Sequence, residues 1–126
     1  MNLMAARVKA KPSITSSHQF RRIINEGKCV QGTFLDLWVL QEEPLVDGKT
    51  AEGSKYGIIV SRKTDARAAG RNLWKRRIRE AMRKLLPTSG LRVNVIVRPK
   101  KSRRAPPFHV IEEELINLLS QANVFQ

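Results

Sequence analysis

Positively charged side chains are concentrated near the middle of the chain, in the segment AAGRNLWKRRIREAMRK at positions 68–84. Between positions 71 and 84 this segment carries seven lysines and arginines and one acid, Glu80. Guanidinium and ammonium groups at this density can bind the phosphate oxygens of a polyanion, and the planar arginine fork suits such oxygens better than an ammonium group does. Two interpretations are therefore open: a surface that binds a polyanion, or a solvated helix that happens to be basic.

Helical spacing divides this segment into an apolar stripe and a basic face. At 100° per residue, Trp74 falls on one stripe with Ile78, Ala81, Met82 and Leu85, and we predict that this stripe faces the core. The neighbouring basic face is about 140° wide at this spacing, and the opposite flank holds two further cations. The basic face consists of Arg71, Asn72, Lys75, Arg76, Arg79 and Arg83, and the flank of Arg77 and Lys84.

The sign of the charges favours the polyanion. A solvated helix usually alternates acids with bases four residues apart, whereas cations at that spacing repel one another. Four cations, from Arg71 to Arg83, are each four residues apart. An anionic partner would neutralise the repulsion between them. The helix could enter the major groove of DNA or contact the phosphates and irregular regions of RNA, so the residues leave both nucleic acids open.

The composition of the whole chain agrees with an anionic partner. Its 126 residues include 24 Lys+Arg and 11 Asp+Glu, which gives a formal net charge of +13 and favours nucleic acid ahead of an anionic membrane surface. Cys29 is the single cysteine, which excludes an internal disulfide and indicates a reducing compartment. The N-terminal residues lack the apolar run of a signal peptide and no stretch reaches transmembrane length, so we expect a cytoplasmic protein without a membrane partner.

The elements that must position the basic helix read as a small α+β domain. A capping box at Ser16 and Gln19 starts the first helix. In the first strand, Asp36 shares one face with Phe34, Trp38 and Leu40, and this acid suggests that the face is only partly buried. The length of the chain indicates one domain, in which helices pack on a small sheet. We predict helices over 16–27 and 108–122, strands over 33–41, 56–63 and 91–99, and a loose basic arm over 1–13.

Groups that could make or break bonds are sparse. His18 and His109 are far apart in the sequence and are expected to be surface or packing residues. Asp36 and Asp65 are isolated acids, which usually serve as solvated or capping groups. We find no carboxylate cluster suited to two metal ions and no Ser/His/Asp or Cys/His arrangement, and therefore predict no catalytic residue and no metal ligand in this chain.

The segment SRKTDARAAGRNLWKRRIRE, positions 61–80, resembles the bacterial ribonuclease P protein component. That family has a strand ending in Ser-Lys-Lys, a short Gly-containing turn, and a helix reading Arg-Asn-Arg-x-x-Lys-Arg-x-x-Arg-Glu. The blocks SSHQFRRIINEGKCVQGTFLDLWVL and LRVNVIVRPK and the last helix resemble the family in the same order, so that the likeness covers roughly positions 13–122. The matching residues of the helix are Arg71, Asn72, Lys75, Arg76, Arg79 and Glu80, with Arg62 and Lys63 upstream.

The resemblance implies a fold and a function. The fold is a single-domain small α+β sandwich at 14–124 in the order αβββαβα, with a four-stranded sheet, helices on one face and a left-handed β-α-β crossover (ribosomal protein S5 domain 2-like). The function is that of the RNA-binding subunit of ribonuclease P, an endoribonuclease whose catalytic RNA removes the 5′ leader of precursor tRNA. The resemblance implies that the RNA carries out the hydrolysis with magnesium that it mainly binds itself. The partners would be this RNA and precursor tRNA, without a small-molecule substrate.

The resemblance also implies roles for particular residues. Leu73 stands where the family has the second arginine of its triplet, so that this chain either lacks the RNA contact of that arginine or makes it through Arg77. Asp65 stands where the family usually has glycine. Two other functions remain open: an RNA-binding ribosomal-type protein with no role in cleavage, and a DNA-binding regulator. We predict RNA contacts at Arg62, Lys63, Arg67, Arg71, Asn72, Lys75, Arg76, Arg79 and Arg83, and a cleft for the leader with Phe20, Phe34 and Trp38 as stacking platforms.

Overall fold

The computed structural model describes residues 13–42, 53–88, 92–101 and 104–125. The order of helices and strands in these ranges is the predicted αβββαβα, so the α+β class and the element order are confirmed. The predicted arm lies outside the described residues except for Ser13. The elements are α1 (Ser17–Glu26), β1 (Lys28–Gln31), β2 (Leu35–Gln41), β3 (Lys55–Ile58), α2 (Ala68–Leu85), β4 (Val93–Pro99) and α3 (Phe108–Gln121), with a 3-10 turn (Leu86–Thr88) after α2.

The four strands form one mixed sheet in the order β1-β2-β4-β3. Strand β2 is antiparallel to both of its neighbours, whereas β3 and β4 are parallel, so that α2 is the crossover helix of a β3-α2-β4 unit. The left-handed sense of this crossover stays a prediction. The register places Asp36 opposite Arg98 and Trp38 opposite Ile96, which brings the end of β4 beside the start of β2.

The alternation of side chains along the strands produces two cores, one on each face of the sheet. Leu37 and Val95 belong to the larger core, which α2 and α3 cover. The apolar stripe of α2 is buried there as predicted, except that Leu85 at its end is half-buried. Trp38 and Ile96 face the opposite way and pack with Ile23 of α1. The implication that the helices lie on one face only is wrong, because α1 has an apolar edge of its own and buries it against the second face.

Two local predictions about the strands are also wrong. The residues alone predicted three strands and missed β1, because three of its four residues are exposed and only Val30 is buried. The prediction that Phe34 shares the face of Trp38 fails because β2 begins at Leu35. Phe34 lies in the bend before it and packs against the larger core under α2 and α3.

A carboxylate from α3 fixes the hairpin that joins β1 to β2. Oε2 of Glu114 accepts hydrogen bonds from the backbone N–H groups of Phe34 at 2.8 Å and Leu35 at 2.7 Å. Gly32 makes room for this carboxylate, since a Cβ at that position would lie 2.5 Å from Oε2. The hairpin and the last helix are therefore joined by two charge-assisted hydrogen bonds.

Replacing Glu114 with alanine should lower the free energy of unfolding by about 2–3 kcal/mol, because two backbone donors would no longer have a charged acceptor. Urea denaturation followed by far-UV circular dichroism would measure the change. Glu113→Ala is the matched control, since Glu113 is exposed on the same helix and its removal should change the stability by no more than about 0.5 kcal/mol. Equal effects of the two substitutions would contradict a role for Glu114 in holding the hairpin.

Candidate nucleic-acid interface

One flank of α2 contacts α3 and the connector that precedes it. Nη1 of Arg77 donates hydrogen bonds to the carbonyl oxygens of Ala105 at 3.3 Å and Pro106 at 2.6 Å. The Lys84 ammonium lies 2.7 Å from a carboxylate oxygen of Glu112. Arg77 therefore holds the connector before α3, and the structure does not favour the alternative in which Arg77 substitutes for the family's arginine at the Leu73 position.

The other side of α2 presents cations that form no ion pair with an acid of the described residues, although Glu80 lies on the same helix. Asn72, Lys75, Arg76, Arg79 and Arg83 form no side-chain hydrogen bond or ion pair with another described residue. Asn72, Arg76 and Arg83 are exposed, and Lys75 and Arg79 are half-buried. Unneutralised like charges on successive turns raise the local positive potential and favour an anionic ligand. Arg71 of the predicted basic face bonds instead to the turn before α2, and the name basic face of α2 is kept for the other five residues: Asn72, Lys75, Arg76, Arg79 and Arg83.

Two of the predicted RNA contacts hold the first turn of α2, Arg67 through an ion pair and Arg71 through hydrogen bonds to the backbone. The carboxylate of Asp65 accepts from the backbone N–H of Arg67 at 2.9 Å, and from its Nε at 3.0 Å and Nη2 at 2.8 Å. Arg71 donates from Nη1 to the carbonyl oxygens of Asp65 at 3.1 Å and Ala66 at 2.9 Å. Arg67 and Arg71 thus have structural partners, and Asp65, at the family's glycine position, orients the start of the helix.

This ion pair perturbs the carboxyl group of Asp65. Hydrogen bonds from the side chain and backbone of Arg67 lower the pKa of Asp65 from 3.8 to about 2. Because the pKa is depressed in the folded state, the stabilisation from this pair is present above the unfolded value of 3.8 and disappears as the pH falls toward 2. The start of α2 therefore keeps its geometry at neutral pH.

Gly70 is required where Asp65 lies against the first turn of α2. A Cβ at this position would overlap the Asp65 carboxylate. Alanine in a helix normally gains about 0.8–1 kcal/mol over glycine, but overpacking costs about 1–3 kcal/mol. We therefore expect Gly70→Ala to lower the thermal midpoint despite its better helix propensity. The substitution should become stabilising in an Asp65→Ala background, and a stabilising effect in the wild-type background would contradict the overlap.

A groove lined with cations lies between the turn before α2 and the end of β4. Its positive side chains come from both segments, and the carboxylate of Asp36 is its only acid among the described residues. The turn is held in place by Thr64, whose hydroxyl donates to the carbonyl oxygen of Pro99 at 3.4 Å. We call this the basic groove: Asp36, Ile59, Ser61, Arg62, Lys63, Thr64, Arg98, Pro99, Lys100 and Lys101.

A second hollow adjoins the basic groove and lies along α1. It is lined by Thr15, Ser17, Phe20, Ile58, Ile59, Val60 and Lys75, and we call it the α1 cleft. Ile59 lines both hollows, so they are neighbours on the same side of the molecule. Lys75 brings the basic face of α2 to the rim of the cleft.

The three aromatic residues predicted for a cleft are not brought together. Phe20 lines the α1 cleft and is half-buried. Trp38 is 9 % exposed, and the Arg98 guanidinium lies over its ring at 4.7 Å. Phe34 packs into the larger core on the other face of the sheet. Phe20 is therefore the one member of this trio whose ring lines the cleft.

Sequence reasoning missed the contribution of β4 to this surface. Arg98 lies in the predicted strand 91–99, and Lys100 and Lys101 follow it, but none of the three is among the predicted RNA contacts, although they form one wall of the basic groove. The basic run RPKK at a strand terminus could have indicated it, since strand ends and loops often carry binding residues. The expectation of a partly buried face at Asp36 is also wrong, because Asp36 is 5 % exposed.

Metal-binding clusters and membrane-spanning helices are both absent from the described part of the chain. No three histidine, cysteine, aspartate or glutamate side chains there lie close enough together to hold a metal ion. No helix in these ranges is both long enough and apolar enough to cross a membrane.

Comparisons with known proteins point in one direction. The family model for ribonuclease P matches residues 8–123. The ribonuclease P protein component of Picosynechococcus sp. is 36% identical over 106 residues, which cover 84% of this chain and 85% of the relative. That of Chloroflexus aggregans is 34% identical over 106 residues, covering 82% and 72%.

Solved structures show the same likeness in three dimensions. The RNase P protein from Thermotoga maritima superposes with a TM-score of 0.70 at 26% identity, covering 88% of this chain and 97% of that one. The RNase P protein of Staphylococcus aureus reaches a TM-score of 0.76 at 24% identity, covering 93% and 100%. The second comparison supports the fold alone.

Proposed function

The chain belongs to the ribonuclease P family, and we propose that it binds the catalytic RNA through the basic face of α2 and holds the 5′ leader of precursor tRNA in the α1 cleft and the basic groove. As a family member it is a protein subunit of the ribonuclease P holoenzyme, an endoribonuclease of tRNA processing, and its partner is the ribonuclease P RNA. The ribosomal-type alternative is not favoured by this membership.

The observation that carries the proposal is the position of the basic face beside two neighbouring hollows, the α1 cleft and the basic groove. Lys75 belongs to the basic face and also lines the α1 cleft. Cations without acidic partners suit the phosphates of a folded RNA, while an open hollow with a half-buried ring, Phe20, suits an extended single strand. One surface can therefore contact the catalytic RNA and its substrate at the same time.

In this proposal the protein contributes binding and orientation. The basic face neutralises phosphates of the RNA subunit, and the cleft fixes the leader so that the scissile bond is presented to the catalytic RNA. The magnesium ions are expected on the RNA subunit, which supplies the chemistry of phosphodiester hydrolysis. We further propose that the holoenzyme acts in the cytoplasm.

The decisive assay combines the purified protein with ribonuclease P RNA and precursor tRNA at low magnesium concentration. The proposal expects faster leader removal and tighter binding of the precursor than of mature tRNA. An absence of both stimulation and RNA binding would refute it. Duplex DNA in the same titration tests the regulator hypothesis, which tight and sequence-selective binding of that duplex would favour.

A further inference from the structure

An acid lies among the cations of the basic groove, directly across from one of them. Asp36 on β2 is the cross-strand neighbour of Arg98 on β4. Its Oδ2 lies 3.2 Å from Nη2 of Arg98, and its Oδ1 lies 2.9 Å from Nζ of Lys100. The Arg98 guanidinium also lies over the ring of Trp38. Two cations are therefore held at fixed positions by one carboxylate and one aromatic ring.

We propose that Asp36 is a positioning residue that fixes Arg98 and Lys100 for a single-stranded nucleic acid and limits the attraction of the groove for other polyanions. This inference rests on the proposed function, because it concerns how the same groove distinguishes a leader-bearing RNA from other RNA. The ligand class is an extended strand with phosphates and unstacked bases.

The exposure of the three side chains shows how the cations can be paired and still bind. The Asp36 side chain is 7% exposed, whereas those of Arg98 and Lys100 are 47% and 29% exposed. A guanidinium has five N–H donors and an ammonium three, and Asp36 accepts one from each cation. The remaining donors can reach phosphate oxygens of a bound strand. Asp36 lies on a central strand of the sheet, so a ligand cannot readily displace it.

The same geometry assigns the stacking surface to Arg98. Its guanidinium covers the Trp38 ring, so that a base in the groove would meet the guanidinium plane before the indole. Arginine planes stack on splayed bases of single-stranded RNA. Duplex RNA, whose bases are already stacked, cannot use this plane and is attracted by charge alone.

The charge of the groove explains why an acid improves the discrimination between a leader-bearing RNA and other RNA. Five cations and one carboxylate line it, which leaves a formal charge of four. Removing the carboxylate would raise the formal charge of the groove to five. It would also leave the side chains of Arg98 and Lys100 free to move toward any nearby phosphate. Attraction by charge is common to all RNA and depends on salt, whereas fixed donors and a fixed plane favour the strand that fits them.

The test compares Asp36→Asn with Glu42→Gln in the reconstituted holoenzyme. Glu42 is the matched control because it is also a poorly exposed acid, pairing with Arg22 at 3.1 Å outside the basic groove. Both substitutions remove one negative charge. Dissociation constants for leader-bearing precursor and for mature tRNA would be measured over a range of monovalent salt concentrations.

Asp36→Asn should lower the preference for precursor over mature tRNA by roughly fivefold, the effect of about one ordinary hydrogen bond. It should also steepen the salt dependence of mature tRNA binding by about 0.7–0.9 in log–log slope. Glu42→Gln should change neither quantity. If the two variants behave alike, Asp36 is only a buried partner in an ion pair, and the inference is overturned.

Arg98→Gln keeps the inference testable if Asp36→Asn does not fold, since the pair between Asp36 and Lys100 remains. It should reduce the preference for precursor because the stacked plane is removed, and an unchanged preference would overturn the inference. A wild-type holoenzyme without any preference for precursor would refute the proposed function itself. A wild-type preference that survives in every folded groove variant would refute this inference alone.

Discussion

Trp74→Ala is expected to lower the free energy of unfolding by about 3–5 kcal/mol, the usual cost of removing a fully buried tryptophan. Trp74 of α2 is 0% exposed and lies in the larger core, which α2 and α3 form with the sheet. Domains of this size are stable by only about 5–15 kcal/mol, so the variant should lose a large share of its stability. Urea denaturation followed by far-UV circular dichroism would measure the change without relying on tryptophan emission.

Ile116→Ala provides the control for this prediction. Ile116 is a large apolar residue that is 39% exposed, so its truncation should change the stability by no more than about 0.5 kcal/mol. The alternative for Trp74 is a direct interaction with RNA. An unchanged denaturation midpoint together with abolished RNA binding would support that alternative and would contradict the burial of Trp74.

Periodicity predicted the parts of this molecule that depend on one element at a time. The stripe from Trp74 to Leu85 and the separate basic face of α2 follow from the 3.6-residue repeat alone. The same repeat placed Arg77 and Lys84 on the opposite flank, where Arg77 bonds to the connector before α3 and Lys84 pairs with Glu112 of α3. The spacing of apolar and charged residues along a helix assigns its faces without any information about the neighbouring elements.

Features that depend on pairing between distant elements could not be predicted in this way. The alternation along β2 places Asp36 and Trp38 on one face, but it does not show that Arg98 lies beside them. That proximity depends on the register between β2 and β4, which brings together residues 62 positions apart. As a result, Trp38 was expected to be a stacking platform, whereas the structure covers it with a guanidinium.

The short edge strand and the bend before β2 show a different reason for failure. Strand β1 buries only Val30, so it lacks the apolar alternation by which strands are recognised. Phe34 continues the alternation of β2 in sequence but lies in the bend, where Glu114 binds its backbone N–H. A partner from α3 thus decided where the strand begins, and this information is absent from the local sequence.

The hydrogen bonds of Arg71 at the start of α2 change how substitutions in the basic helix should be chosen. Arg71 lies on the predicted basic face, but its guanidinium donates to two backbone carbonyls of the preceding turn. If Arg71→Ala weakened RNA binding, two causes could not be separated: the removed contact with an RNA phosphate and the disturbed start of α2. Arg76, Arg79 and Arg83 form no such bond with another described residue, and they test the interface more directly.

The triple variant Arg76→Gln, Arg79→Gln, Arg83→Gln should bind ribonuclease P RNA much more weakly and with a flatter salt dependence. If each arginine neutralises one phosphate, the log–log slope should fall by about 2–3, since each neutralised phosphate contributes about 0.7–0.9 through counterion release. Glutamine has nearly the helix propensity of arginine, so α2 should remain intact. Filter binding at several monovalent salt concentrations would measure the slope, and circular dichroism would verify the fold.

Arg77→Gln separates this effect from a general reduction of positive charge. Arg77 lies on the same helix, but its Nη1 donates to the carbonyl oxygens of Ala105 and Pro106. Its replacement should therefore lower the thermal midpoint while the salt slope changes by less than the ~0.7 expected for one neutralised phosphate. A triple variant with the wild-type slope would show that the three arginines are merely solvated. A slope change at Arg77 as large as that per arginine in the triple variant would show that RNA responds to the net charge of α2 and not to one of its faces.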